Sequence, residues 1–233
     1  MTILVFGKDG QVGRALQLLL APQPGVIFLG RNDCDLADPQ ALEVLLEQYR
    51  PSCIINASAY TAVDRAETEM DLAFAVNEVA VGVMARYIAK QELAVLLHYS
   101  TDYVFGDRQM APHPYLEADL PGPLERLGVY GRSKLAGESL IQKHFLNSSS
   151  KYYILRTSWV YGAGKNFIRT MFQLASEKDS LRVVGDQYGA PTAADWLARL
   201  ADLFVEYQPT SGIYHAVPNG YTTWHQLAIL AIQ

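Results

Sequence analysis

Tyr130 and Lys134 stand four residues apart in a stretch of helical periodicity, so both side chains point from one face. A lysine ammonium beside a phenol favours the phenolate and lowers its pKa from about 10. A tyrosine tuned in this way can pass a proton to or from a carbonyl oxygen while a hydride moves. The same spacing recurs at Tyr161 and Lys165, but Gly162 and Gly164 lie between them and oppose a helix. Only the first pair is expected to share a face. Ser100-Thr101-Asp102-Tyr103 closes an apolar run. Ligands of open α/β sheets bind outside the carboxyl ends of the strands, which puts the Thr101 hydroxyl where it can orient a substrate carbonyl toward Tyr130. Asn77, inside a helical stretch, either anchors a proton-relay water or packs as a buried amide.

A second chemistry is written near the amino terminus. Gly7, Gly10 and Gly13 follow an apolar run and open a helix, in Phe6-Gly7-Lys8-Asp9-Gly10-Gln11-Val12-Gly13. One glycine makes the turn, one lets backbone approach a pyrophosphate, and one lets the helix pack closely on the strand. The free N–H groups and positive dipole end of that helix favour phosphate. A nicotinamide dinucleotide site is expected here. The next apolar run ends Phe28-Leu29-Gly30-Arg31, where an NAD site commonly carries a carboxylate for the ribose 2′-hydroxyl. Here a glycine and a cation stand instead, with Lys8 nearby. Arg31 suits a 2′-phosphate, so NADPH is expected, while Asp33 and Asp35 keep NADH open.

The elements that must position these groups follow a βαβ rhythm. Strands are expected at Thr2–Phe6, Val26–Leu29, Cys53–Asn56, Ala94–Ser100 and Tyr152–Arg156, all largely apolar as in a sheet buried on both faces. Helices are expected at Gln11–Leu20, Pro39–Tyr49, Asp71–Gln91 and Tyr130–Phe145, with Asp38 capping the second ahead of Pro39. The proline-rich stretch Arg108–Leu127 reads as a loop. Past Tyr161 the rhythm changes: a helix near Asn166–Ser176, a short strand Leu181–Val184, a loop Asp186–Pro191, a helix near Ala193–Phe204, a strand Gly212–Ala216 and a last amphipathic segment Thr223–Ile232. The fold class expected is α/β, a Rossmann-type doubly wound parallel sheet over residues 1–160. A smaller, partial capping domain over 161–233 is interleaved with it.

Composition narrows the function. Among 233 residues half are hydrophobic, 18% are charged, and the net charge is −5, so neither a disordered chain nor a broad basic surface for nucleic acid is expected. No apolar stretch reads as the roughly 18 residues of a membrane span. Two cysteines cannot build a disulfide framework, and the five histidines show no metal-ligand spacing. A cytoplasmic protein is expected.

The combination is specific. Together with the glycine turn, Thr61-Ala62-Val63-Asp64-Arg65-Ala66-Glu67, His98-Tyr99-Ser100-Thr101-Asp102-Tyr103-Val104-Phe105, Arg156-Thr157-Ser158-Trp159-Val160-Tyr161 and Asp186-Gln187-Tyr188-Gly189-Ala190-Pro191-Thr192 resemble the dTDP-4-dehydrorhamnose reductase family of extended short-chain dehydrogenases/reductases. The resemblance implies reduction of the C4 ketone of dTDP-4-dehydro-L-rhamnose to dTDP-L-rhamnose. It implies Gly10, Gln11 and Val12 at the pyrophosphate, Gly30 and Arg31 at the adenosine ribose, and Asp35 and Leu36 near the adenine. Ala59, Tyr60 and Thr61 would contact the cofactor, and Thr101, Asp102 and Trp159 the sugar. Tyr130 would donate the proton, with Lys134 on the nicotinamide ribose.

Two departures accompany it. The family continues beyond the position of Gln233, and the final helix here has no stop signal, so a truncated cap is expected. Some members form a magnesium-linked dimer through acidic residues. Here Ala15 occupies the first-helix position and only Asp195 remains, so no metal is expected and a homodimer stays possible. A cofactor-binding regulatory subunit of the same fold and a nucleotide-sugar epimerase are the competing functions.

Overall fold

The computed structural model describes residues 1–106 and 114–233. Six parallel strands form the central sheet: β1 (Ile3–Phe6), β2 (Val26–Leu29), β3 (Cys53–Asn56), β4 (Val95–Thr101), β5 (Lys151–Thr157) and β9 (Gly212–His215). Their order is β2-β1-β3-β4-β5-β9, so the winding reverses between β1 and β3. Such a reversal splays the connecting loops apart and leaves a crevice at the carboxyl ends of the strands. The register brings Phe6 beside Leu29 and Asn56, and Thr101 beside Thr157.

Alternate residues of these strands feed two cores. On one face Leu4, Phe6, Ile54, Leu96 and Ile154 pack under α2 (Pro39–Tyr49), the long helix α4 (Met70–Ala89) and α5 (Val129–Phe145). On the other, Val5, Ile55, Leu97, Tyr153 and Leu155 meet α1 (Gln11–Leu20) and α7 (Ala194–Tyr207) through Leu16, Leu20, Leu197 and Ala201. Both α7 and β9 follow residue 160, yet they are built into the layers of the main sheet. Asp38 caps α2 by accepting from the Ala41 N–H, with Pro39 inside the first turn.

Helix α4 matches the expected Asp71–Gln91 to within two residues, but it is more apolar than the sequence reading allowed. By length and composition alone it qualifies as a membrane span, but Val81, Met84, Ala85 and Ile88 are buried in the core. It also carries a π-helical turn at Ala75–Val79, where one extra residue per turn aims Asn77 inward. A short helix α3 (Val63–Ala66) precedes it.

The upper part consists of helix α6 (Phe167–Glu177), helix α8 (Trp224–Ile232) and two small ladders. β6 (Val160–Tyr161) pairs with β8 (Thr192–Ala193) in parallel, and β7 (Tyr188–Gly189) pairs with β10 (Thr222–Thr223) antiparallel. The strand expected at Leu181–Val184 is not formed. That segment has no ladder partner, Val184 is half exposed, and its carbonyl accepts from His225 N–H instead. Within the expected loop Arg108–Leu127, residues 108–113 lie outside the described residues, and a 3-10 turn occupies Leu124–Arg126. Thr223 and Gln226 form a capping box that starts α8.

Candidate active site

The glycine turn is fixed by sterics. Gly7 has φ +86°, and a Cβ there would stand 2.6 Å from the Ala57 carbonyl oxygen. At Gly13 a Cβ would lie 1.9 Å from the Gly7 oxygen, so the start of α1 can approach the turn only without a side chain. Gly10 opens α1 with no side-chain cap and no acidic residue in the first turn. Its N-terminal N–H groups and dipole are therefore left for an anion. Gln11 turns away: its Nε2 donates to the Val160 carbonyl at 3.0 Å, while its buried Oε1 has no partner. Val12 packs against the core beside it.

Beyond β2, Gly30 is hemmed in by the Lys8 and Asp9 side chains. Its N–H donates to the Asp33 carboxylate at 2.8 Å, and Lys8 pairs with the same oxygen. Asp33 is thus held below the usual carboxylate range by that lysine and the Gly30 N–H. Arg31 is largely exposed and lies 3.9 Å from Asp35. Leu36 is buried in the core. Two cations, Lys8 and Arg31, therefore flank the end of β2.

The segment Ala59-Tyr60-Thr61 follows β3 and is clamped from the helix side. Asn77 Oδ1 accepts from Tyr60 N–H at 2.9 Å, and its Nδ2 donates to the Tyr60 carbonyl and to Ser133 Oγ. The Asn77 amide is therefore fully engaged as a buried brace between this loop and α5. Of the two readings open from sequence, the packing amide is the one the geometry shows.

Thr101 ends β4 and is buried, its hydroxyl donating to Asp102 Oδ1 at 3.2 Å, accepting from Tyr103 N–H, and lying near enough to Tyr130 to act on the phenol. The Tyr103 ring meets Tyr130 edge-on at 5.4 Å. Burial pushes the Tyr130 phenol up rather than down, and Asp102 adds to that. The direction is opposite to the lowering expected from a neighbouring lysine, and burial is its cause. Lys134 is itself buried, its Nζ donating to the Tyr99 carbonyl at 2.7 Å and lying 3.1 Å from His98 Nε2. Burial brings Lys134 down to about 8, offset in part by Glu138 one turn on. Burial also raises Asp102 to about 6.

A cavity of about 700 Å³ opens beside this cluster. Asp102, Tyr103, Gly128, Arg156, Trp159 and His215 contribute to its wall, whereas Thr101, Tyr130 and Lys134 do not. Trp159 has φ +44°, unusual for a bulky residue, and its indole stacks on Trp224 with centroids 3.6 Å apart. Gly189 makes room, since a Cβ there would fall 2.4 Å from that ring. From that wall Arg156 reaches back to Glu138 in a buried bidentate pair, with Nη2 to Oε2 at 2.6 Å. The sequence reading missed this pair, as it missed His98 and Asn56. Their signal was available: charged or polar residues inside otherwise apolar strands, with Glu138 one turn from Lys134.

Comparison with known proteins agrees with this arrangement. A family model described as the RmlD substrate binding domain matches residues 1–233. A dTDP-4-dehydrorhamnose reductase of Shigella flexneri is 42% identical over 245 aligned residues, covering 100% of this chain and 78% of that protein. The crystal structure of a dTDP-4-dehydrorhamnose reductase from Clostridium acetobutylicum superposes with a TM-score of 0.88 at 33% identity, covering 99% of this chain and 79% of that one. A Bacillus anthracis dTDP-4-dehydrorhamnose reductase solved in complex with NADP gives 0.84 at 34% identity, covering 99% and 80%. The glycine turn at the sheet's switch point, the Thr101–Tyr130 contact and these likenesses over the whole chain agree. The chain belongs to the dTDP-4-dehydrorhamnose reductase family of NAD(P)-dependent oxidoreductases.

Proposed function

We propose that this chain uses NADPH to reduce the C4 ketone of dTDP-4-dehydro-L-rhamnose, giving dTDP-L-rhamnose. The observation that carries the reading is the placement of Tyr130, on α5 and edge-on to Tyr103, beside Thr101 at the carboxyl end of β4, with burial holding its phenol up. A proton donor for a developing alkoxide must start protonated, and this one does. Thr101 aligns the ketone oxygen, and Tyr130 Oη delivers its proton there. Asp102 and Trp159 face the sugar from the cavity wall.

The residues present fit a nicotinamide dinucleotide. The uncapped amino end of α1 at Gly10, Gln11 and Val12, after the Gly7 turn and against Gly13, receives a pyrophosphate. Gly30 and Arg31 meet the adenosine ribose, with Asp35 and Leu36 toward the adenine. Arg31 and Lys8 offer two cations to a 2′-phosphate, which favours NADPH over NADH. Ala59, Tyr60 and Thr61, braced by Asn77, line the inner end. When bound, the cofactor supplies hydride to the sugar C4. Lys134 then holds the nicotinamide ribose and, as an ammonium, favours loss of the Tyr130 proton. NADP in the Bacillus anthracis relative supports this assignment.

The test follows reduced-nicotinamide absorbance while purified protein receives dTDP-4-dehydro-6-deoxyglucose and the matching 3,5-epimerase, with NADPH and NADH compared. Steady oxidation, faster with NADPH and lowered about 10²-fold or more in Tyr130→Phe, is expected. A Tyr130→Phe rate near that of the parent refutes the assignment. Cofactor binding without net oxidation would instead favour the regulatory-subunit or epimerase reading.

A further inference from the structure

Lys134 is held by a chain of buried polar groups whose hydrogen positions are determined from one end. At that end is the Ser58 backbone N–H, 3.1 Å from Asn56 Oδ1. A backbone N–H only donates, so the Asn56 oxygen faces it, and the Ser58 hydroxyl donates to the same oxygen. The Asn56 Nδ2 must then face His98 Nδ1, 3.1 Å away. Since Nδ2 only donates, Nδ1 of His98 accepts and carries no proton. Asn56 and His98 are 1% and 0% exposed, so no solvent offers another partner. A neutral imidazole with a bare Nδ1 carries its proton on Nε2. That Nε2–H points at Lys134 Nζ, 3.1 Å away. An ammonium has no lone pair to accept it, so the contact exists only when Lys134 is an uncharged amine.

From this geometry we propose that His98, its tautomer set by Asn56, is a positioning residue that binds Lys134 only in its uncharged form and so couples the lysine's protonation to its place. Once protonated, Lys134 keeps its bond to the Tyr99 carbonyl but leaves His98, and its other N–H groups are available to Tyr130 on the same face of α5. The inference rests on the reading of Lys134 as the residue that acts beside Tyr130. Burial lowers His98 well below its ordinary value, with Lys134 adding to the effect, in keeping with a neutral ring. The groups around the lysine are few. Glu138 on the same helix raises its pKa but is itself paired with Arg156 of β5. Helix α4 presents the Asn77 amide to Ser133, and Asp102 acts on Tyr130 and Tyr103.

Asn56→Asp inverts the chain. A carboxylate still accepts from Ser58 and now also accepts from a protonated His98 Nδ1, so the ring proton sits on Nδ1 and Nε2 becomes an acceptor for the lysine ammonium. The alkaline limb of the pH profile of kcat/KM is expected to move up by at least one pH unit. Imidazole 15N shifts of the unmodified protein, with His98 assigned by its loss in His98→Phe, are expected to report an Nε2–H tautomer that does not titrate between pH 6 and 8. An Nδ1–H tautomer there, a ring titrating near 6.5, or an unmoved alkaline limb in folded Asn56→Asp overturns the proposal. The NMR measurement decides the matter even if Asn56→Asp does not fold. Lys134→Met separates the two layers. Activity retained in Lys134→Met refutes the role of the lysine itself, whereas lost activity with an unmoved limb in Asn56→Asp refutes His98 alone.

Discussion

Replacing Lys134 by Met isolates the free energy stored in burying an amine. In the folded chain Lys134 is brought from 10.5 to about 8 by burial. The unfolded chain therefore binds more protons than the folded chain between pH 8 and 10.5. Stability of the parent must rise through that window, because the cost of burying the ammonium is present below about 8 and is relieved as both states become neutral. The displacement of about 2.5 units corresponds to about 3 kcal/mol at roughly 1.4 kcal/mol per unit, of which about 2.5 kcal/mol is reached by pH 10. Lys134→Met has no such proton. It also forfeits the bond to the Tyr99 carbonyl, a loss nearly independent of pH. Urea unfolding of both proteins at intervals from pH 7 to 10 subtracts that constant and the background titration they share. The stability difference is expected to move toward the parent by about 2.5 kcal/mol. A difference that stays flat within about 0.5 kcal/mol would show that Lys134 is not depressed, and the account of its neutral state would fall.

Three further outcomes follow from the same contacts. Gly13→Ala places a Cβ 1.9 Å from the Gly7 oxygen, so NADPH affinity measured by fluorescence titration should fall roughly 10- to 100-fold. Gly10→Ala, whose Cβ meets that oxygen at 3.3 Å, should retain the fold; equal losses in both would contradict the steric argument. Glu138→Gln leaves the buried Arg156 uncompensated at a cost of about 3–5 kcal/mol, and the melting temperature should drop by roughly 6–20 °C. A drop under about 3 °C would mean that the pair is not buried as described. Asp102 is raised from 3.8 to about 6, so its contribution to stability is complete below pH 3.8 and lost as pH rises through 6. Asp102→Asn should therefore gain on the parent by about 1–2 kcal/mol between pH 4 and 7, a figure reduced for its partial exposure to the cavity. No gain would refute the raised carboxyl.

The five strands from Thr2 to Arg156 were legible because each is a continuous apolar run, buried on both faces by helices whose own periodicity is plain. The glycine turn was legible because sterics at Gly7 and Gly13 leave no alternative residue. The upper region was not. Its ladders are two residues long, too short to leave any periodicity, and the apolar run Leu181–Val184 had no neighbour to pair with. Spacing placed Tyr130 and Lys134 on one face correctly, but a face does not say where a long side chain ends. The Tyr99 carbonyl and His98 draw Nζ inward, and His98 had been read as part of an apolar strand. The π turn that aims Asn77 was equally invisible, since one extra residue in a helix this apolar barely disturbs its pattern.

The excursion between Thr157 and Ala194 has a consequence for how this scaffold can be altered. It leaves from the end of β5 and comes back into α7, whose chain then enters β9 directly beside β5, with Tyr153 opposite Gly212. All of its ladders lie outside the six-stranded sheet. Doubling the length of such a loop costs only about 0.6 kcal/mol of closure entropy. The segment that carries Trp159 can therefore be exchanged without breaking a hydrogen bond of the six-stranded sheet. Its joints have to be preserved: Gln11 in the turn after β1 reaches across to the Val160 carbonyl, β7 pairs with β10, and Trp159 stacks on Trp224. A graft that keeps these joints would change which sugar is read while leaving the reducing machinery in place.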